Sequence, residues 1–127
     1  MLSISIDFVP LHLQPYKTLD DYRITSQEVG PEILQVLITD TGDRRSNLAL
    51  LIHALVEQYR AEEDGVSIQE IDDWDFSHLD SDEPADEPGC PYQKAHSDAM
   101  FAEMTLCASL RLPWAEHESN LKRALNG

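Results

Sequence analysis

The sequence predicts an α+β domain: a small N-terminal antiparallel β-sheet of about three strands, then two long helices and a short C-terminal helix. Three observations carry this. "LSISIDF" alternates apolar and polar residues with a period of two, and "ILQVLIT" is β-branched and aliphatic, so both read as strands. From residue 45 onward the apolar spacing changes to three and four, the period of a helix face. At 127 residues the chain, 1–127, is long enough for one real core and not for two.

Each element follows from local chemistry. In the β-rich part, 2–40, Leu2 to Phe8 is expected as a half-buried strand. The proline-punctuated "VPLHLQPYKTLDDYRI" returns as a second strand over Tyr22–Thr25. "VGP" is a turn, and Ile33 to Thr39 is the central strand. Gly42 turns the loop "DTGDRRSN", in which Asp43, Ser46 or Asn47 can cap a helix over 45–62 that Gly65 ends. An acidic connection, 63–90, holds a short helix capped by Ser67, with Val66, Ile68, Ile71 and Trp74 inward. "HLDSDEPADEPG" then reads as irregular and exposed. A helical region, 91–125, begins with Pro91 in its first turn and runs as one helix to about Leu112. Trp114 and Leu121 dock the terminal helix.

Charge narrows the function classes. Twenty-four acids against nine Lys and Arg give −15, the wrong sign for tracking phosphates or an anionic membrane surface. Thirteen of those acids lie between Glu57 and Glu87, against the single base Arg60. Such a chain suits cations, or a basic partner protein. No apolar run has the length of a membrane span. The N-terminus lacks the basic region of a secretion signal, which leads to the expectation of a cytoplasmic protein. Cys90 and Cys107 lack CxxC spacing and are expected as reduced thiols.

The helix "LALLIHALVEQYR" raises the main question. Leu48, Leu51, Ile52, Leu55 and Tyr59 form a stripe that should pack on the sheet. His53 and Glu57 lie opposite, among Leu50, Ala54 and Ala61, a face too apolar for solvent. On the second long helix, His96 and Glu103 fall inside the stripe of Tyr92, Ala95, Ala99, Leu106, Cys107 and Leu110. Burying a carboxylate or an imidazole without partners is costly, so the two sets should meet. Imidazole and carboxylate at i, i+4 chelate one ion from one face; zinc, manganese, iron and nickel fit, zinc or manganese foremost. His53, Glu57, His96 and Glu103 are therefore the candidate ligands. Glu103 lies about 10 Å along the axis from His96, so one of these two could support the site from behind. A hydrogen-bonded network without an ion is the other outcome of the same spacing.

The segments "TLDDYR", "LITDTGDRRSNLALLIHALVE", "IDDWDF" and "EPGCPYQKAHSDAMFAE" in this order resemble a group of small uncharacterised bacteriophage and prophage proteins. The resemblance runs from about Asp20 to Glu103. It implies that His53, Glu57, His96 and Glu103 are recurring polar positions, that Asp75 marks an acidic segment, and that the setting is the cytoplasm of a host cell. A sheet leading into a His-Glu helix is also similar to zincin metallohydrolases, in which the residue after the first His is the general base. Here that residue is Ala54, and Glu57 replaces the second His, which argues against an enzyme unless Glu103 or Asp75 supplies the base. A degenerate or non-catalytic metal domain is the first expectation. The alternative is an acidic, nucleic-acid-mimicking inhibitor of a host restriction or CRISPR complex, acting through a basic host partner and without direct nucleic acid. A homodimer through the apolar C-terminal helices is a further possibility. "DDWDFSHLDSDE" is oxygen-rich but lacks the glycine and terminal Glu of an EF-hand loop, and His12 and His78 read as solvated loop histidines.

Overall fold

In the computed structural model, which describes residues 2–25, 30 and 32–127, an N-terminal sheet is followed by four helices. The strands are β1 (Leu2–Val9), β2 (Asp20–Thr25) and β3 (Glu32–Thr39). The helices are α1 (Arg44–Glu63), α2 (Ile68–Ser77), α3 (Gln93–Ser109) and α4 (Trp114–Asn126), with single 3-10 turns at Leu11–Leu13 and Pro84–Asp86. The fold class is α+β, as the periodicities predict. Of the expected turn at "VGP", Val29 and Pro31 lie outside the described residues.

The sheet has the order β1-β3-β2, with β3 central. It is mixed rather than antiparallel throughout: β2 pairs antiparallel with β3, but β1 pairs with it in parallel. The cause is the connection after β1. Ten residues, Pro10 to Leu19, keep the chain at the end where β1 finishes and carry it past the neighbouring position, so β2 runs back down and β3 fills the gap alongside β1. In register, Ile6, Val36 and Tyr22 share one face, as do Phe8, Ile38 and Asp20.

α1 lies over β2 and β3, which buries Val36 and Ile38 completely. The side chains of β1 on the same face keep about half their area in solvent, Ile4 at 52 % and Phe8 at 42 %. The expectation of a half-buried first strand is thus corrected. Its alternation is right, but an edge strand is covered only if a second layer extends over it.

α1 is also turned from its expected orientation. Leu51 and Leu55 reach the core, but Leu48 and Tyr59 stand in solvent. The buried positions are Ser46, Ala49, Leu50, His53, Ala54, Glu57, Gln58 and Ala61. Small residues win because α3 packs along α1: Ala49 on one helix and Ala95 and Ala99 on the other permit the close approach that leucines would block. α1 begins and ends on local signals, whereas α3 starts at Gln93, after the expected Pro91, with no side-chain cap from Tyr92. Asp43 caps α1 by accepting from the N–H groups of Arg45 and Ser46, and Gly65 at φ 77° follows its last turn.

Ser67 and Glu70 form a capping box at the start of α2, and Ile71 is its buried contact. "HLDSDEPADEPG" is not wholly exposed, as a correction to its composition: Ala85 is buried, and Trp74 Nε1–H donates to the carbonyl of Pro84 at 2.8 Å, drawing the segment against α2. His78 caps α2 and stacks on Trp74 at 3.9 Å, so it is half-buried rather than a free loop residue. The apolar side of α4 is used inside the same chain, where Trp114 and Leu121 pack on the core as expected. Cys90 and Cys107 are buried and unbridged. Among the described residues, no helix is long and apolar enough to cross a membrane.

Candidate metal centre

The packing of α3 on α1 turns His53 and Glu57 toward His96 and Glu103, and all four are buried. The two rings stand edge to face with centroids 4.9 Å apart. Glu57 is the hub. Its Oε2 lies 3.1 Å from His53 Nε2 and 2.9 Å from His96 Nδ1, while its Oε1 accepts from the Tyr22 hydroxyl at 2.8 Å. One carboxylate oxygen is thus held by β2 and the other is presented to both imidazoles. His53, Glu57 and His96 each offer a donor atom within 4.8 Å of the others. A tetrahedral ion with bonds of about 2.0–2.2 Å would space its donors roughly 3.3 Å apart, close to the two separations between Glu57 and the imidazoles. A buried His-Glu-His cluster of this kind could hold a metal ion.

Glu103 is brought to the same place, but behind His53. Its Oε1 accepts from His53 Nδ1 at 2.7 Å and its Oε2 from His117 Nε2 at 2.5 Å. As the helical rise requires, it does not share the three-residue cluster with His96. Its action is on tautomer: with a proton held on Nδ1 by Glu103, the Nε2 proton that His53 shares with Glu57 is the one a bound ion would displace. The chain of contacts continues outward. His117 Nδ1 meets Ser46 Oγ at 2.9 Å, and Ser46 Oγ in turn accepts from Asn120 Nδ2 at 2.9 Å. A protonation pattern assigned from these contacts satisfies every member: Ser46 O–H donates to Nδ1, and Nε2–H donates to Glu103. Behind His96 stands Glu83, 3.9 Å from Nε2.

Two residues of this network, His117 and Tyr22, were not singled out from the sequence. His117 had a signal: it sits with Trp114 and Leu121 on the inner side of α4, a polar group where the stripe needs an apolar one. Tyr22 had none, because only the strand register sends its hydroxyl under α1. Ala54 is fully buried in the aliphatic core, so the position of a zincin-type base faces away from the cluster. Asp75, the other candidate base, accepts hydrogen bonds from the hydroxyls of Tyr16 and Tyr92.

Without a bound cation the cluster is a buried set of ion pairs. Burial alone would lower the imidazolium pKa values, but for His53 the bonds to Glu103 and Glu57 outweigh it and hold the value well above the usual range. For His96, burial is outweighed by Glu57, and the value is again raised. Burial would raise the carboxylates too, yet His53 and His96 bring Glu57 down to about 2. His117 and His53 likewise keep Glu103 low against its burial. The carboxylate contribution to stability is complete above about 4.5 and is lost as pH falls through the depressed folded values. The imidazolium contribution is complete below about 6.5 and is lost as pH rises through the raised folded values. The ion-free protein should therefore melt highest between about pH 4.5 and 6.5 and lose stability toward pH 8. Added zinc should flatten or reverse that upper limb, since metal must displace the imidazole protons and binds better as pH rises. Melting curves across this range with zinc or with EDTA check it; an EDTA series with no fall between pH 6.5 and 8 would contradict it.

No family model, no curated protein and no solved structure matches this chain.

Proposed function

We propose that the protein is a divalent-metal-binding domain of the small phage type, with His53, Glu57 and His96 as ligands and zinc or manganese as the ion. The observation that carries this is the convergence of two imidazole nitrogens on one oxygen of Glu57, at 3.1 and 2.9 Å, in the buried contact between α1 and α3. Neither cysteine joins the donor set, which favours a borderline or hard ion over a thiolate-seeking one. The role is to hold the ion rather than to run protease-type hydrolysis. The residues offered for a base are committed elsewhere: Glu103 to two imidazoles, Asp75 to two tyrosines, and position 54 is an alanine inside the core.

Elemental analysis of protein purified without a histidine tag tests the reading. One equivalent of zinc or manganese, with a melting temperature that drops on EDTA and recovers on readdition, supports it. Absence of stoichiometric metal, with a melting temperature indifferent to EDTA and to added zinc or manganese, overturns it.

A further inference from the structure

The three-residue cluster opens on a cavity of about 300 Å³ whose walls include Asp20 as well as His53, Glu57, His96 and Glu103. Asp20 is the first residue of β2. It lies two positions from Tyr22 and so points to the same side of the sheet, toward α1. Its Oδ2 is fully buried and, among the described residues, has no hydrogen-bond partner. The other buried carboxylates facing this space have donors: Glu57 has three and Glu103 has two. A buried carboxylate oxygen without a donor is what native structures avoid. The groups that act on it are the carboxylates of Glu57 and Glu103, which repel it, and the rings of His53 and His96. Burial first, and the charge of Glu57 second, push its pKa up to about 7. What Oδ2 lacks is a partner at bonding distance, and an ion on the neighbouring cluster would supply one.

We infer that Asp20 is a fourth protein ligand, which closes on the ion held by His53, Glu57 and His96 and converts the site to two imidazoles and two carboxylates. This rests on the metal-binding reading above. Asp20 lies outside the set of donors that are mutually within 4.8 Å, so it reaches the ion by turning its side chain inward. No protein hydrogen bond to Oδ2 has to break for this turn. The ion would then be held from β2, α1 and α3 together, tying the sheet to the helical layer. Two carboxylates also shift the preference toward manganese, iron(II) and zinc, with water in the remaining positions, and away from copper(I).

The test compares the wild type with Asp20→Ala, Asp20→Asn and His96→Ala, and with Asp82→Asn, which removes one charge from an exposed residue at the cavity rim. Zinc affinity is measured by competition with a chromogenic chelator, and coordination by the visible absorption of the cobalt(II) form. The two Asp20 variants should melt at or above the wild type in EDTA, since the wild type buries an unpaired carboxylate oxygen. Asp20→Ala should bind zinc about a hundredfold more weakly, and a changed cobalt spectrum marks the loss of a ligand rather than of a supporting residue. Asp82→Asn should change affinity less than about threefold, as a rim charge screened by water does. If the wild type and Asp20→Ala bind alike with the same cobalt spectrum, while His96→Ala binds poorly, Asp20 is not a ligand and the three-residue site stands. If the wild type binds no metal, both readings fall. A destabilised ion-free Asp20→Asn would also overturn the inference, by showing that the carboxylate already has a partner in the fold.

Discussion

Glu57→Gln is expected to abolish tight ion binding and to lower the melting temperature of the ion-free protein by roughly 10–20 °C. The side chain keeps its volume, so the effect isolates charge and acceptor capacity. Oε2 meets both His53 and His96, and Oε1 accepts from Tyr22. Breaking a buried ion pair by removing one partner costs about 3–5 kcal/mol, because the other partner stays desolvated without its counter-charge. For a domain of this size each kcal/mol corresponds to roughly 2–8 °C. Glu57 is only 6 % exposed, so water screens little of the loss. Thermal melting in EDTA, followed by zinc titration of the folded fraction, separates the two effects. A variant that melts like the wild type would show that the imidazoles do not depend on Glu57.

Glu103→Gln is expected to weaken zinc binding about 10–100-fold with the three ligands intact, the usual cost of removing the carboxylate behind a ligating imidazole. An amide has one acceptor and one donor, whereas His53 and His117 both present N–H groups to Glu103. One of the two contacts must become donor against donor, or one ring must move its proton. If His53 keeps its proton on Nε2 rather than Nδ1, the lone pair it would offer the ion is lost. If His117 moves its proton to Nδ1, the contact with Ser46 must invert and Asn120 competes for the same hydroxyl. Ring-nitrogen NMR of the histidines reports which proton moves. Unchanged affinity together with an unchanged His53 tautomer would remove Glu103 from the account.

Local signals were legible in the sequence. The α1 cap, placed among Asp43, Ser46 and Asn47, falls on Asp43, and the Ser67 cap and the turn after α1 stand where the sequence puts them, since each depends on a few adjacent residues. The parallel pairing of β1 was not legible, because strand direction depends on how a connection routes and not on the strand itself. Nor was the exposure of Ile4 and Phe8, because burial of an edge strand requires a second layer that its own alternation cannot reveal. In α1 the aliphatic stripe misled for a related reason: where two helices approach closely, alanine buries better than leucine, and the larger residues move to the margin.

For the site, polar residues inside apolar stripes were the informative pattern. They located His53, Glu57, His96 and Glu103, and applied to α4 they locate His117 as well. The division of labour between His96 and Glu103 was partly legible through the helical rise that separates them. Asp20 and Tyr22 lie in a strand whose facing is decided by register with β3, so nothing in "DDYRIT" alone marks which of its residues point at an ion.

The most direct measurement is a crystal structure of the zinc-loaded protein with anomalous differences recorded across the zinc absorption edge. One peak should appear about 2.0–2.2 Å from His53 Nε2, His96 Nδ1 and Glu57 Oε2, with Glu103 still bonded to His53 Nδ1. A map without that peak, in which both rings remain hydrogen-bonded directly to Glu57 at saturating zinc, would show that the cluster serves only to pack α1 against α3.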